Sequence, residues 1–207
     1  MSDTARLAAT RVNFLRARRE LERVRHGAAL IRRKREALVA ELFRAARPAM
    51  DLRERIAAHV TEAADALLDA LAAHGASALE VMAWPERDLA IEIAPGQVWG
   101  IPVSEVTAKP ALARNLDARG TAPSLTGPAA ANAAGQFEQL ADLLIEAAPR
   151  EQRVRRLGEA VARSTRQMRT LEQRVAPALA AQVADVHRRL DEQEREERLR
   201  LKRVRLR

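Results

Sequence analysis

Residues 14–45 read FLRARRELERVRHGAALIRRKREALVAELFRA, and the rhythm of that stretch decides the fold. Phe14, Leu21, Ala28 and Leu42 stand on a seven-residue row that only Arg35 breaks. Ala17, Val24, Ile31, Leu38 and Ala45 repeat three residues on. An apolar stripe this narrow, recurring every ~3.5 residues, is a coiled-coil seam and not the broad apolar face of a globular helix. Working outward, the first row starts at Leu7 and continues through Ala49, Ile56, Ala63 and Ala70, with Leu52 in the second. The far end of the chain answers with Leu140, Ala147, Val154, Val161, Met168 and Val175, partnered by Leu143, Leu157, Leu171 and Ala178. Arg150 and Ser164 interrupt that second row.

Six of the eight glycines and six of the nine prolines lie between Gly75 and Gly135, so the punctuation separates two helical stretches from a middle of different character. The expected fold is all-α dominated: a long antiparallel two-helix coiled coil with a small middle segment containing a short β-hairpin. The segments are 1–74, 75–129 and 130–207. The first helix is expected over 4–73, with Pro48 kinking or splitting it. In the middle, Leu89, Ile91 and Ile93 alternate with Ala90 and Glu92 before Pro95-Gly96, which predicts a hairpin over 88–103 turning at that dipeptide. Lys109 to Asn132 reads as loop. The second long helix is expected from about Ala130, bent by Pro149 and Pro177. Past Pro177 the stripe moves to Leu179, Val183, Val186 and Leu190, a shifted register that relaxes the supercoil locally.

Composition supports a helical pair. Aromatic residues are 2% of the chain, so little large-ring area is available for a thick core, and the apolar 47% is mainly Ala, Leu and Val. With no cysteine, disulfides and thiolate metal sites are excluded. No stretch approaches the ~20 apolar residues that span a bilayer, and the charged N-terminal region does not resemble a signal peptide. The expectation is a cytoplasmic protein without direct membrane insertion. Net charge is +8, unevenly placed. Residues 1–40 hold eleven basic against four acidic groups, the last ten hold six basic and none acidic, and residues 86–146 hold four basic against eight acidic. Antiparallel pairing would bring the basic termini together at one tip and leave the acidic middle at the other, which orients the chain toward partners of complementary charge.

Signatures of chemistry are missing. His26, His59, His74 and His187 have no companion at metal-ligand spacing, and no glycine is followed by the Lys-Ser or Lys-Thr of a phosphate loop. Asp191, Glu192, Glu194, Glu196 and Glu197 are interleaved with Arg195 and Arg198, as on a solvated helix. The expectation is a chain that is not an enzyme, with no cofactor, no metal and no direct nucleotide. Arginine-rich helices can grip phosphates, but the basic stretches here continue into the seam and nearly lack stacking aromatics. Nucleic acid is therefore not expected as a partner. A coiled-coil adaptor or a sequence-independent nucleic-acid-binding protein remains the alternative.

Three segments resemble one family. The first is TRVNFLRARRELERVRHGAALIRRKREALVAELF from Thr10 to Phe43, with Thr10, Asn13-x-Leu15, Gly27 and Leu30-Ile31 before Lys34-Arg35-Glu36-x-Leu38. The second is Val98-Trp99-Gly100. The third is TRQMRTLEQRVAPALAAQV, with Leu171-Glu172 and Pro177, followed by LDEQEREERLRLKRVR from Leu190 to Arg205. Together, in this order, they resemble the D subunit, the central-stalk rotor shaft of V-type and V/A-type rotary ATPases and ATP synthases. Gln167-Met168-Arg169-Thr170 departs from the family's usual run before the proline. The gamma shaft of F-type synthases is also an antiparallel coil, but its insert is a larger α/β unit than 75–129 allows.

The resemblance implies a non-catalytic rotor subunit that carries torque between the A/B ring and the ion-translocating membrane rotor. Both termini would lie within the ring of A and B subunits, and the distal end would meet the F subunit and the subunit capping the membrane rotor. Under that reading Arg11, Arg16, Arg18, Arg198, Lys202 and Arg203 are candidate contacts to the catalytic ring. Phe14, Leu21, Val24, Ile31, Leu38, Val161, Met168, Leu171 and Val175 are the candidate seam that transmits torque.

Overall fold

In the computed structural model, which describes residues 8–83, 89–114 and 127–205, the chain is built mostly of long helices. Helix α1 spans Arg11–His74 and α2 spans Ala76–Ala83. Strands β1 (Glu92–Val98) and β2 (Ile101–Ala108) follow, then α3 (Pro128–Thr170). A single π-helical turn, Leu171–Val175, leads into α4 (Ala176–Arg205). Leu7, Trp84, residue 88, Gly120 and Pro123, all part of the sequence expectations, lie outside the described residues.

Thr10 starts α1. Its Oγ1 accepts a hydrogen bond from the Asn13 backbone N–H at 3.2 Å, meeting one of the donors that a helix start leaves open, and Asn13 Nδ2 donates to the Ala8 carbonyl at 3.0 Å. The helix therefore begins later than expected. Pro48 does not split it. That proline is exposed, so water can meet the Arg44 carbonyl that loses its partner. Gly75, at φ +76, closes the helix by donating its N–H to the Leu71 carbonyl at 2.9 Å. The eight-residue α2 that follows was not expected. Pro128 is the first residue of α3, where a missing N–H costs nothing, so the helix takes in part of the stretch expected as loop.

The chain forms two compact units. One comprises Met1–Ala37 with Val161–Arg207, the other Leu38–Ala160. In the first, α1 runs antiparallel to α3 and α4, because partners descend as α1 ascends. Arg11 meets Glu194, Phe14 meets His187, Arg32 meets Glu172 and Arg35 meets Thr165. Ala17, Leu21, Ala28 and Val186 are buried there. Arg35, which breaks the apolar row, donates from Nε to Thr165 Oγ1 at 3.1 Å, and Ser164 is buried in its own interrupted row.

The π turn accounts for the shifted stripe. Ala176 donates its N–H five residues back, to the Leu171 carbonyl, so one extra residue enters the turn. It lies just before Pro177, which has no N–H and would crowd the Gln173 carbonyl in a regular helix. Counting by sevens from Leu157 and Ser164 through Leu171 reaches Ala178, which is exposed. One residue later stand half-buried Leu179 and fully buried Val186. The seam passes Pro177 by absorbing a residue.

In the unit Leu38–Ala160, Leu38, Leu52 and Leu157 are buried to 2% exposure or less. Nearer the end of α1 the core narrows to Ala66, Ala70 and Ala133, with Leu79 and Ala129 packed against them. The hairpin turns at Trp99–Gly100, not at Pro95–Gly96. Both turn residues have positive φ, 52 and 76, the geometry that suits the twist of a two-residue hairpin. Pro95 pairs with Ser104 and Pro102 with Gln97, within β1 and β2. Counting outward from the Val98–Ile101 pair that closes the turn, both prolines fall on non-hydrogen-bonded pairs, so neither removes a ladder bond. A Cβ on Gly96 would stand 3.2 Å from Val103 Cγ2, so the glycine admits a close cross-strand approach.

Candidate interaction surface

The two units differ sharply in charge. Met1–Ala37 with Val161–Arg207 holds 24 Arg/Lys against 11 Asp/Glu, a net of +13. Leu38–Ala160 holds 12 against 17, a net of −5.

In the basic unit, ion pairs cross between the helices. Arg11 Nη2 lies 2.8 Å from Glu194 Oε1, and Arg198 approaches the other oxygen of Glu194 at 3.5 Å. The hydrogen bond from Arg11, and then its charge, hold the Glu194 carboxyl below the usual range, and the same bond raises Arg11. Phe14 and His187 stack obliquely with ring centres 5.3 Å apart, and His187 Nδ1 is 3.5 Å from Asp191. Of the six candidate cations, Glu194 thus brings Arg11 and Arg198 together, while Arg18 pairs with Glu22 on its own helix at 3.5 Å. Arg16, Lys202 and Arg203 are exposed. The nine candidate seam residues face inward to different degrees. Leu21 and Leu38 are buried, while Phe14, Val24, Ile31, Val161, Met168, Leu171 and Val175 are half-buried.

Sequence reasoning missed an apolar component of the same surface. Val12, Leu15 and Leu30 on α1, and Leu199, Leu201 and Val204 on α4, are all at least about half exposed. Val12 and Leu15 line an open groove with Arg16, Arg19, Arg23 and His26 along one face of α1. Residues 195–205 of α4 are exposed on every side. A basic helix end studded with leucine and valine gains by burial as well as by charge pairing. The signal lay in apolar residues standing off the seam, which a search for the best stripe passes over.

The acidic unit holds a buried carboxylate among partly exposed charges that was also missed. Glu41, at 7% exposure, is bonded by Arg44 and by Arg153, the latter at 2.7 Å. Arg153 also stands 3.9 Å from Glu105 on β2, tying the hairpin to α1 and α3, and its Nε is buried without a partner. Beyond β2, Lys109 binds Asp142 at 2.6 Å, and the Arg114 backbone N–H donates to Glu138 at 3.1 Å. These contacts strap residues 109–114 across α3, with Leu112 buried beneath. His59 bonds Gln139 at 3.0 Å, and the His74 ring packs where Gly127 leaves no room for a side chain. Among the described residues no group of three His, Cys, Asp or Glu could hold a metal, and no helix is long and apolar enough to cross a membrane. What the surface offers chemically is recognition by charge and apolar contact.

Comparison with known proteins agrees with this picture. The ATP synthase D-subunit family matches residues 13–205. The V-type ATP synthase D subunit of Anaeromyxobacter dehalogenans (strain 2CP-C) is 36% identical over 204 residues, covering 98% of this chain and 97% of that protein. Its namesake from Thermus thermophilus is 34% identical over 201 residues, covering 97% and 88%. The A-type ATP synthase D subunit of Pyrococcus horikoshii is 30% identical over 205 residues, covering 99% and 95%.

Proposed function

This chain belongs to the D-subunit family of ATP synthases, and from that premise we propose that it is the non-catalytic central-stalk rotor of a V/A-type complex. It carries torque between the ATP-handling A/B ring and the membrane ion-translocating rotor, on the cytoplasmic side and attached to the membrane only through the complex. Its partners are the A and B subunits, the F subunit and the subunit capping the membrane rotor. The observation that carries the reading is the near-complete family match over a chain whose long helices are joined by ion pairs and a heptad seam.

The mechanism is coupling by unequal contact. A single asymmetric chain inside a ring of equivalent catalytic interfaces necessarily presents a different face to each. A ring interface is biased toward one nucleotide state only if its contacts with the rotor differ in free energy between states. The basic unit supplies groups for such contacts: exposed Arg16, Lys202 and Arg203, with Arg11, Arg18 and Arg198 in pairs that can exchange partners. Exposed ion pairs are worth little each, so exchange along the surface costs little, as a turning part requires.

Because the chain has no cysteine, a single introduced thiol is unambiguous. Lys202→Cys, oxidised against a cysteine placed on a B subunit, is expected to stop steady ATP hydrolysis by the purified complex until the disulfide is reduced. Unimpeded hydrolysis by the crosslinked complex would exclude a rotor role.

A further inference from the structure

Three breaks in helical regularity meet at one level of the unit formed by Met1–Ala37 with Val161–Arg207. Arg32 pairs with Glu172 across the helices. Gly27 lies five residues before Arg32, and Pro177 lies five residues after Glu172. In an antiparallel pair both steps lead toward the same end, so glycine and proline stand level, with the π turn Leu171–Val175 beside them. A Cβ on Gly27 would meet nothing within 4 Å, so packing does not call for glycine there. Relative to alanine it lowers the local helix equilibrium about fivefold. Thr170, just before the π turn, bonds its hydroxyl back onto the Arg166 carbonyl at 3.0 Å, a contact that competes with the regular ladder. A break in one helix is held straight by an intact partner, but breaks level in both helices have no such splint.

The core thins at the same level. From Thr165 to Asp185 no residue is buried, and on α1 only Ala28 is buried between Leu21 and Leu38. Beyond the breaks, toward the helix ends, the buried core is Ala17, Leu21 and Val186. That tip, Thr10–His26 with Ala178–Arg205, carries fourteen basic groups against eight acidic ones, a surplus that repels itself. Its cross-helix ion pair, Arg11–Glu194, is solvent-exposed and so holds the helices only weakly. Pro48 and Pro149 also interrupt helices, but in a unit where hairpin and strap are tied on and Leu38, Leu52 and Leu157 are fully enclosed.

Few buried apolar side chains and a weak joint on both strands are what set a locally opening segment apart from a global core. We infer that the tip opens as a unit of its own while the rest of the chain stays folded, and that seating within the ring closes it. The first half stands without the proposed function; the second rests on it. Val12, Leu15, Leu199, Leu201 and Val204 are exposed in the closed tip, so a partner that covers them supplies the burial that the seam lacks. A partner that holds only the closed pair shifts the opening equilibrium by mass action. Closure of the tip and its seating are then one event, and an unseated tip stays loose.

The test is amide hydrogen exchange of the full chain, read by mass spectrometry, first free and then in the assembled complex. In the free chain, peptides around Leu21 and Val186 are expected to be about tenfold or more less protected than peptides around Leu52 and Leu157. Leu21→Ala should speed exchange in the tip about thirtyfold or more, the scale of truncating a buried leucine, and leave the Leu52 and Leu157 peptides unchanged. Equal protection in both regions of the parent chain would overturn the inference. So would a Leu21→Ala variant that loosens both regions alike or unfolds the whole chain. In the complex, tip protection should rise about tenfold or more above the free chain, and by more than at Leu52. A tip that exchanges as fast in an intact complex as in the free chain would overturn the seating step and leave the rotor assignment standing. A chain that joins no complex ends the rotor assignment and the seating step together, while the free-chain outcomes still decide whether the tip opens by itself.

Discussion

Arg11 and Glu194 are 183 positions apart in sequence and 2.8 Å apart in space, which makes them a direct probe of helix pairing. Since the folded Glu194 titrates below its unfolded value, the pair contributes stability above the unfolded carboxylate range and loses it as pH falls through the lowered folded value. In Arg11→Ala the Glu194 carboxyl should titrate closer to ordinary glutamate, as followed by NMR; an unmoved midpoint would mean the two are not bonded in solution. Glu41 tests a different balance. Arg153→Met leaves that buried carboxylate with Arg44 alone, and urea unfolding should show a loss of about 2 kcal/mol, less than for a fully buried pair because Arg153 is about a third exposed. Adding Glu41→Leu should recover most of it, since the stranded charge is then gone. Equal losses in the single and double variants would show that the clamp carries no coupling. The exposed cations were visible in the sequence as arginines off the seam. Glu41 was not, because one residue before Leu42 a glutamate looks like ordinary helix surface until its burial is seen.

At the scale of elements, the π turn makes a claim about counting. Deleting Gln173 together with Pro177→Ala should convert Leu171–Val175 to regular helix while leaving the apolar rows on both sides in register. Deleting Gln152 instead rotates Leu157, Val161 and Met168 by about 100° off the seam. Circular dichroism melts should show the first variant close to the parent and the second strongly destabilised; the reverse order would place the extra residue elsewhere. The helices were legible because leucine and alanine sustained at seven-residue spacing fit the turn of a supercoiled helix and no strand period. The skip past Pro177 was legible too, as a one-residue jump from Ala178 to Leu179, though not the turn that produces it. The hairpin was foreseen but its turn was misplaced. Pro-Gly is a strong turn dipeptide, whereas Trp99 at positive φ is one that propensity disfavours. Helix α2 stayed hidden because eight residues between a glycine and a proline carry too few turns to show a period.

At the scale of the whole chain, a surplus of basic groups in one unit and of acidic groups in the other predicts that salt affects assembly unequally. Association with a purified A/B ring should slow about tenfold or more as NaCl rises from about 50 to 300 mM, because the field that steers encounter is screened. Stopped-flow fluorescence measures the rate, and a salt-independent rate would remove the basic unit from the encounter. The prolines of the hairpin have a consequence of another kind. A ribbon of two strands is all margin, and each margin is an invitation to a stray strand. Pro95 deletes an outward-pointing amide from one margin and Pro102 from the other. Neither border therefore offers an unbroken row of amides to an incoming strand, which disfavours sheet-to-sheet pairing between copies.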